Sequence, residues 1–126
     1  MGLEDKRDAL EGMEIGDYRV SGTLSQSGGV VFLTATTLSM DINDLVVKVT
    51  TTDSAADTVI TLPSVVAAKG RIFAISLDTI GDDETCTVQD LADDAGYTDA
   101  VLDTADDYVI LYSNGYRWFE LAAEKA

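Results

Sequence analysis

The chain has 126 residues, with 23 Asp and Glu against 8 Lys and Arg, for a formal net charge of −15 at pH 7. That length suits one domain, and 46% hydrophobic and 25% charged residues with a single proline exclude wholesale disorder. Phosphate backbones and anionic lipid would repel such a chain, and only Lys6 and Arg7 are adjacent among its scattered cations, so no nucleic acid and no membrane is expected as a partner.

In chain order, residues 1–16 are polar, with Leu3, Leu10, Met13 and Ile15 thinly spread. Leu3 and Leu10 can share one helical face, but Gly12 and Gly16 weaken a longer helix. The segment therefore reads as an N-terminal arm or short helix, ahead of a β-domain over residues 17–126. Its charged opening lacks the apolar core of a signal peptide. No apolar run approaches the ~20 residues of a spanning helix, so synthesis in a cytoplasm is the default.

Strand patterns begin after the arm. Residues 18–24 are a weak strand, and residues 25–29 are turn-rich. Residues 30–35 are β-branched and aromatic, a good strand. Residues 45–51 set Leu45, Val47 and Val49 against Val46, Lys48 and Thr50. Another strand spans 57–62, where Pro63 should stop it, because proline cannot donate to a ladder. Residues 64–70 suit one helical turn with Gly70 as its stop. Residues 71–77 form a strand with Phe73, Ile75 and Leu77 on a large face and Ile72, Ala74 and Ser76 on a small one. Thr85 to Val88 is a Thr-rich strand in which Cys86 reads as a small buried hydrophobe.

Asn114-Gly115 between two apolar runs is a strong hairpin signal, since a type I′ turn needs positive φ at both central residues. A two-residue loop would pair Ser113 with Tyr116, Tyr112 with Arg117, Leu111 with Trp118 and Ile110 with Phe119. One face then carries Val109, Leu111, Tyr116 and Trp118, and the other Tyr108, Ile110, Tyr112, Phe119 and Leu121. Both faces are apolar. One can fill the domain's own core; the other needs a second sheet or another subunit. Tyr108, Ile110, Tyr112, Trp118 and Phe119 are accordingly the candidate core or oligomer-interface residues, with Trp118 and Phe119 on opposite faces. Short strands with turns every 8–12 residues or so predict an all-β fold, a small antiparallel β-sandwich or barrel.

Nothing along the chain assembles into catalytic chemistry. Histidine is absent, which removes the commonest general base and transition-metal ligand. One cysteine makes neither an intrachain disulfide nor a thiolate zinc site. Asp78, Asp82, Asp83, Glu84, Asp90, Asp93, Asp94, Asp99, Asp103, Asp106 and Asp107 form an acidic stretch. It does not match the D-x-D-x-D-G calcium loop, and solvated loop faces account for it. No carboxylate pair stands out for glycoside hydrolysis, no G-x-S-x-G elbow occurs, and Gly28-Gly29 lacks phosphate-loop spacing. The expectation is no enzyme, no metal and no cofactor. Tyr112, Tyr116, Trp118 and Phe119 offer a carbohydrate-stacking platform as an alternative to core or interface.

The run from residue 57 to 121 resembles a β-module of bacteriophage virion proteins. That module reads T-V-T-L-P, small residues, G-x-x-Y/F-x-I, a Thr-rich strand and a final S-x-G-x-x-W hairpin. Here Thr61-Leu62-Pro63, Gly70-Arg71-Ile72-Phe73-Ala74-Ile75 and Ser113-Asn114-Gly115-Tyr116-Arg117-Trp118 stand in that order. The likeness covers about half of the chain. It implies a structural part of a virion: a capsid decoration (cement) protein, a head fibre or a tail fibre, commonly a homotrimer, with its Trp in the last strand. Because a β-domain over residues 17–126 leaves only a short N-terminal segment beside it, the resemblance favours a decoration protein. Such a protein is made in the host cytoplasm and binds the major capsid protein on the outer capsid surface, with acidic groups facing away from packaged DNA. Leu3, Leu10, Met13 and Ile15 are then the candidate shell-contact anchors. A fibre-type receptor-binding module and a carbohydrate-binding module are the alternatives.

Overall fold

Alternation of large apolar with small or polar side chains is what builds the strands of this chain. The computed structural model describes residues 28–50, 56–79 and 84–126; the arm over 1–16 and the weak strand at 18–24 lie outside them. Among the described residues there are nine strands and no helix: β1 (Gly29–Leu33), β2 (Thr37–Ser39), β3 (Asp44–Thr50), β4 (Thr58–Thr61), β5 (Ile72–Thr79), β6 (Cys86–Gln89), β7 (Ala100–Leu102), β8 (Tyr108–Ser113) and β9 (Trp118–Glu124). They form a five-stranded sheet ordered β1-β3-β5-β8-β9 and a four-stranded sheet ordered β2-β4-β6-β7.

The all-β expectation holds, but two finer points are corrected. The two sheets are separate and do not close into a barrel. Nor is the fold antiparallel throughout: β1 with β3, β3 with β5, β2 with β4 and β4 with β6 are parallel. The cause is connectivity. From β1 to β6 the chain changes sheet at every connection, so it returns to each sheet after two crossings and runs the same way as before. Antiparallel pairing appears only from β5 with β8, β6 with β7 and β8 with β9. A strand's own residue pattern says which face is buried, not which sheet it joins.

The core lies between the sheets. Val47, Val49, Phe73, Ile75, Leu77, Val109 and Leu111 enter it from one side, and Ile60, Cys86, Val88 and Leu102 from the other. Burial pushes the Cys86 thiol up to about 12, which leaves it a neutral, inert space-filler. Phe73 and Trp118 meet edge to face with ring centroids 5.7 Å apart. The Pro63-led turn covers one end of the core with Val65 and Ala68. Ala68 N donates to Ser64 O at 2.9 Å, and Gly70, at φ +81°, closes the turn by donating to Ser113 O at 2.8 Å.

The hairpin register differs from the two-residue-loop expectation. Ser113 pairs with Trp118, Tyr112 with Phe119, Leu111 with Glu120 and Ile110 with Ala122. The loop is therefore four residues, Asn114 to Arg117. Asn114 Oδ1 accepts from Tyr116 N at 2.9 Å and Arg117 N at 2.8 Å, which stabilises the longer turn and takes Tyr116 and Arg117 out of the ladder. Gly115 still takes positive φ, +97°. Next to the turn the register changes by two, which preserves the faces of Trp118 and Phe119; an irregularity between Ile110 and Leu111 adds one more. Tyr116 leaves the ladder and is 78% exposed.

Candidate functional site

Parallel strands usually have both faces covered, yet the outer face of the five-stranded sheet carries no layer among the described residues. The register sets three rows across it. Val30, Val46, Ala74, Ile110 and Ala122 form a row over all five strands. Ile72, Tyr112 and Phe119 make a shorter row beside it, and Phe32, Lys48, Ser76, Tyr108 and Glu124 lie on its other side. The first two rows contain no charge. In the third, Lys48 Nζ is 3.4 Å from Asp78 Oδ2.

Exposure on this face is substantial: Phe32 71%, Val30 53%, Phe119 44% and Ile72 37%. Tyr112 and Phe119 lean on each other with centroids 6.5 Å apart. Five strands at ~4.8 Å spacing and three rows along them give roughly 400 Å² of flat surface. That is more than scattered exposed side chains, and less than the ~800 Å² per partner of a standard interface. An assembly through this face must also draw in its surroundings.

Of the candidate interface residues, Tyr108, Ile110 and Tyr112 are half-buried on this outer face, and Phe119 is exposed on it. Trp118 is 5% exposed and packs in the core. Leu3, Leu10, Met13 and Ile15 lie outside the described residues. Sequence reasoning missed Val30, Phe32 and Val46 as members of the face, because only the parallel register of β1 and β3 brings them beside β5 and β8. The small side of β5, Ile72-Ala74-Ser76, was the one signal pointing there.

The four aromatics of a possible stacking platform do not share one surface. Trp118 is inside, Tyr116 sits on the hairpin loop, and Tyr112 and Phe119 are on the outer sheet face.

Many of the acidic residues shape loops. Asp90 Oδ2 accepts from the backbone N of Asp93 at 3.1 Å and of Asp94 at 2.9 Å, and Asp93 Oδ2 accepts from Val65 N at 2.9 Å. Asp107 Oδ2 accepts from Asp103 N and Thr104 N, both at 3.1 Å. Asp94 is the central one. Its buried carboxylate accepts from Trp118 N at 2.8 Å and Gly96 N at 2.9 Å, and pairs with Arg117 Nε at 3.2 Å. Burial alone would raise its pKa; the Trp118 and Gly96 N–H groups and the Arg117 guanidinium outweigh that and hold it below the usual carboxylate range. These bonds tie the 90–97 loop to the start of β9. Among the described residues no three Asp, Glu or Cys side chains converge as a metal centre would.

Comparison of the chain with family models, with curated proteins and with solved structures finds no match.

Proposed function

We propose that this chain is a non-enzymatic structural protein of a bacteriophage virion: a capsid decoration (cement) protein that assembles as a homotrimer and binds the outer shell. The observation that carries the assembly half is the pair of charge-free rows on the uncovered face of the five-stranded sheet. The virion half rests on the resemblance of Thr61-Leu62-Pro63, residues 70–75 and residues 113–118 to the phage module.

The mechanism is binding. A protein that engages only the assembled shell stabilises it by mass action, and a trimer multiplies the attachment without any new kind of contact. The net charge of −15 favours an outward position, away from packaged DNA. Leu3, Leu10, Met13 and Ile15 are the proposed anchors on the major capsid protein. Deleting residues 1–16 should leave the β-domain folded and oligomeric while lowering its occupancy on shells. Full occupancy after deletion would move the attachment to the β-domain's loops.

A head-fibre or tail-fibre receptor-binding module is the runner-up and would use the same assembly face. Copy number on purified particles separates the two. A decoration protein is present on the scale of the shell subunits, a fibre in far fewer copies, and absence from particles would remove both. A carbohydrate-binding module is the reading furthest behind, since its aromatic platform is split between the core, a loop and the sheet face.

A further inference from the structure

Away from the outer face, a half-open cavity of about 230 Å³ lies where the free edges of the two sheets part. Ala100 of β7, Leu111 of β8, Trp118 and Glu120 of β9, and Tyr97 and Thr98 of the preceding loop line it. Its walls are held in place from several directions. Tyr97 donates its hydroxyl proton to Val88 O at 2.8 Å, and Asp94 fixes the loop to Trp118 N and Gly96 N. The volume suits one amino-acid side chain.

The lining is chemically specific. Alternation along β9 turns Glu120 to the same side as Trp118, opposite Leu111, so a carboxylate stands at the mouth with two aromatic residues within. Asp99 and Asp90 add negative charge nearby: burial first, then these two carboxylates and Glu120, hold the Tyr97 phenol above its ordinary range. Aromatic rings together with a carboxylate make a site for an organic cation. The chain's own Lys125 already brings an ammonium to the rim, with Nζ 3.5 Å from Glu120 Oε1. That pair is partly exposed and therefore weak, so an incoming cation can displace it.

We propose that this cavity binds an alkylammonium or guanidinium group, the head of a lysine or arginine side chain on a partner protein, with Glu120 as the counter-ion and Tyr97 and Trp118 as the aromatic walls. Lys125 acts as an internal competitor. The site does not depend on assembly through the outer face. It gives a strongly acidic protein a place to dock a basic side chain with defined geometry rather than by diffuse attraction alone.

The chain has one tryptophan, so the single indole N–H resonance and the intrinsic fluorescence both report on this cavity. N-acetyl-lysine amide and N-acetyl-arginine amide are titrated in turn, with N-acetyl-norleucine amide as the uncharged control and a panel of monosaccharides alongside. A saturable shift with at least one cation and none with norleucine is expected. Glu120→Gln should weaken binding about tenfold, the loss of one charge-assisted contact, and Lys125→Gln should tighten it. An inward-facing charge on an edge strand also serves to block edge-to-edge pairing. No saturable shift up to millimolar cation would leave Glu120 that role alone and overturn the proposal. So would binding that Glu120→Gln does not change, or a response to sugars and not to cations.

Discussion

Trp118 and Phe119 are neighbours in sequence and opposites in environment, and the contrast is testable one residue at a time. Trp118 packs edge to face on Phe73 between the two sheets, so Trp118→Ala should cost about 3–5 kcal/mol in chemical denaturation. Phe119→Ser on the exposed face should change monomer stability by less than about 1 kcal/mol and weaken self-association instead. Asp94 is the polar counterpart of Trp118. Asp94→Ala leaves the Trp118 and Gly96 N–H groups without their acceptor and should destabilise by about 1–3 kcal/mol at neutral pH. The folded state holds this carboxylate below its unfolded value of ~3.9, so its contribution is full above that value and is lost as pH falls through the folded pKa. The gap between wild type and Asp94→Ala in urea melts should therefore be widest near neutrality and narrow in acid. A gap that widens in acid would contradict this assignment.

At the scale of elements, the terminal hairpin depends on Gly115, whose φ of +97° disfavours any side chain and whose Cβ position lies 3.0 Å from the Lys69 stem. Gly115→Val should lower stability by about 1–2 kcal/mol, read as a lower thermal midpoint with unchanged strand content. The Asn-Gly signal made this hairpin legible from sequence. Its length did not follow, because the two bonds from Asn114 Oδ1 to the Tyr116 and Arg117 N–H groups favour a four-residue loop that no strand pattern encodes. β3 and β5 were legible for a different reason: Leu45, Val47, Val49 and Phe73, Ile75, Leu77 recur at every second position. β2 and β7 were missed, since three residues such as Thr37–Ser39 or Ala100–Leu102 are too short to show a period. The sheet to which each strand belongs was hidden as well, and with it the row linking Val30 to Ala122. Alternation reports one face of one strand, whereas the row exists only once five strands are in register. The cavity beside Trp118 was equally invisible, because it exists only where residues 96–98 and β7 come against β8 and β9.

For the whole molecule, charge and apolar surface act against each other. Every copy carries a net charge of −15, so bringing copies together costs repulsion that salt relieves, with the Debye length falling from ~30 Å at 0.01 M to ~3 Å at 1 M. Self-association through the uncharged rows should therefore tighten as salt is added, whereas a contact resting on a basic partner should loosen; sedimentation at two ionic strengths distinguishes them. The most direct test of assembly through the outer face of the five-stranded sheet is sedimentation equilibrium at micromolar concentration, comparing wild type with the Phe32→Ser, Phe119→Ser double variant. Both residues are exposed on that face, so the variant should keep the wild-type circular dichroism, with a melt lowered only by the lost association. The predicted result is a mass of three copies for wild type and of one copy for the folded variant; a monomeric wild type, or a variant that retains the wild-type mass, would contradict it.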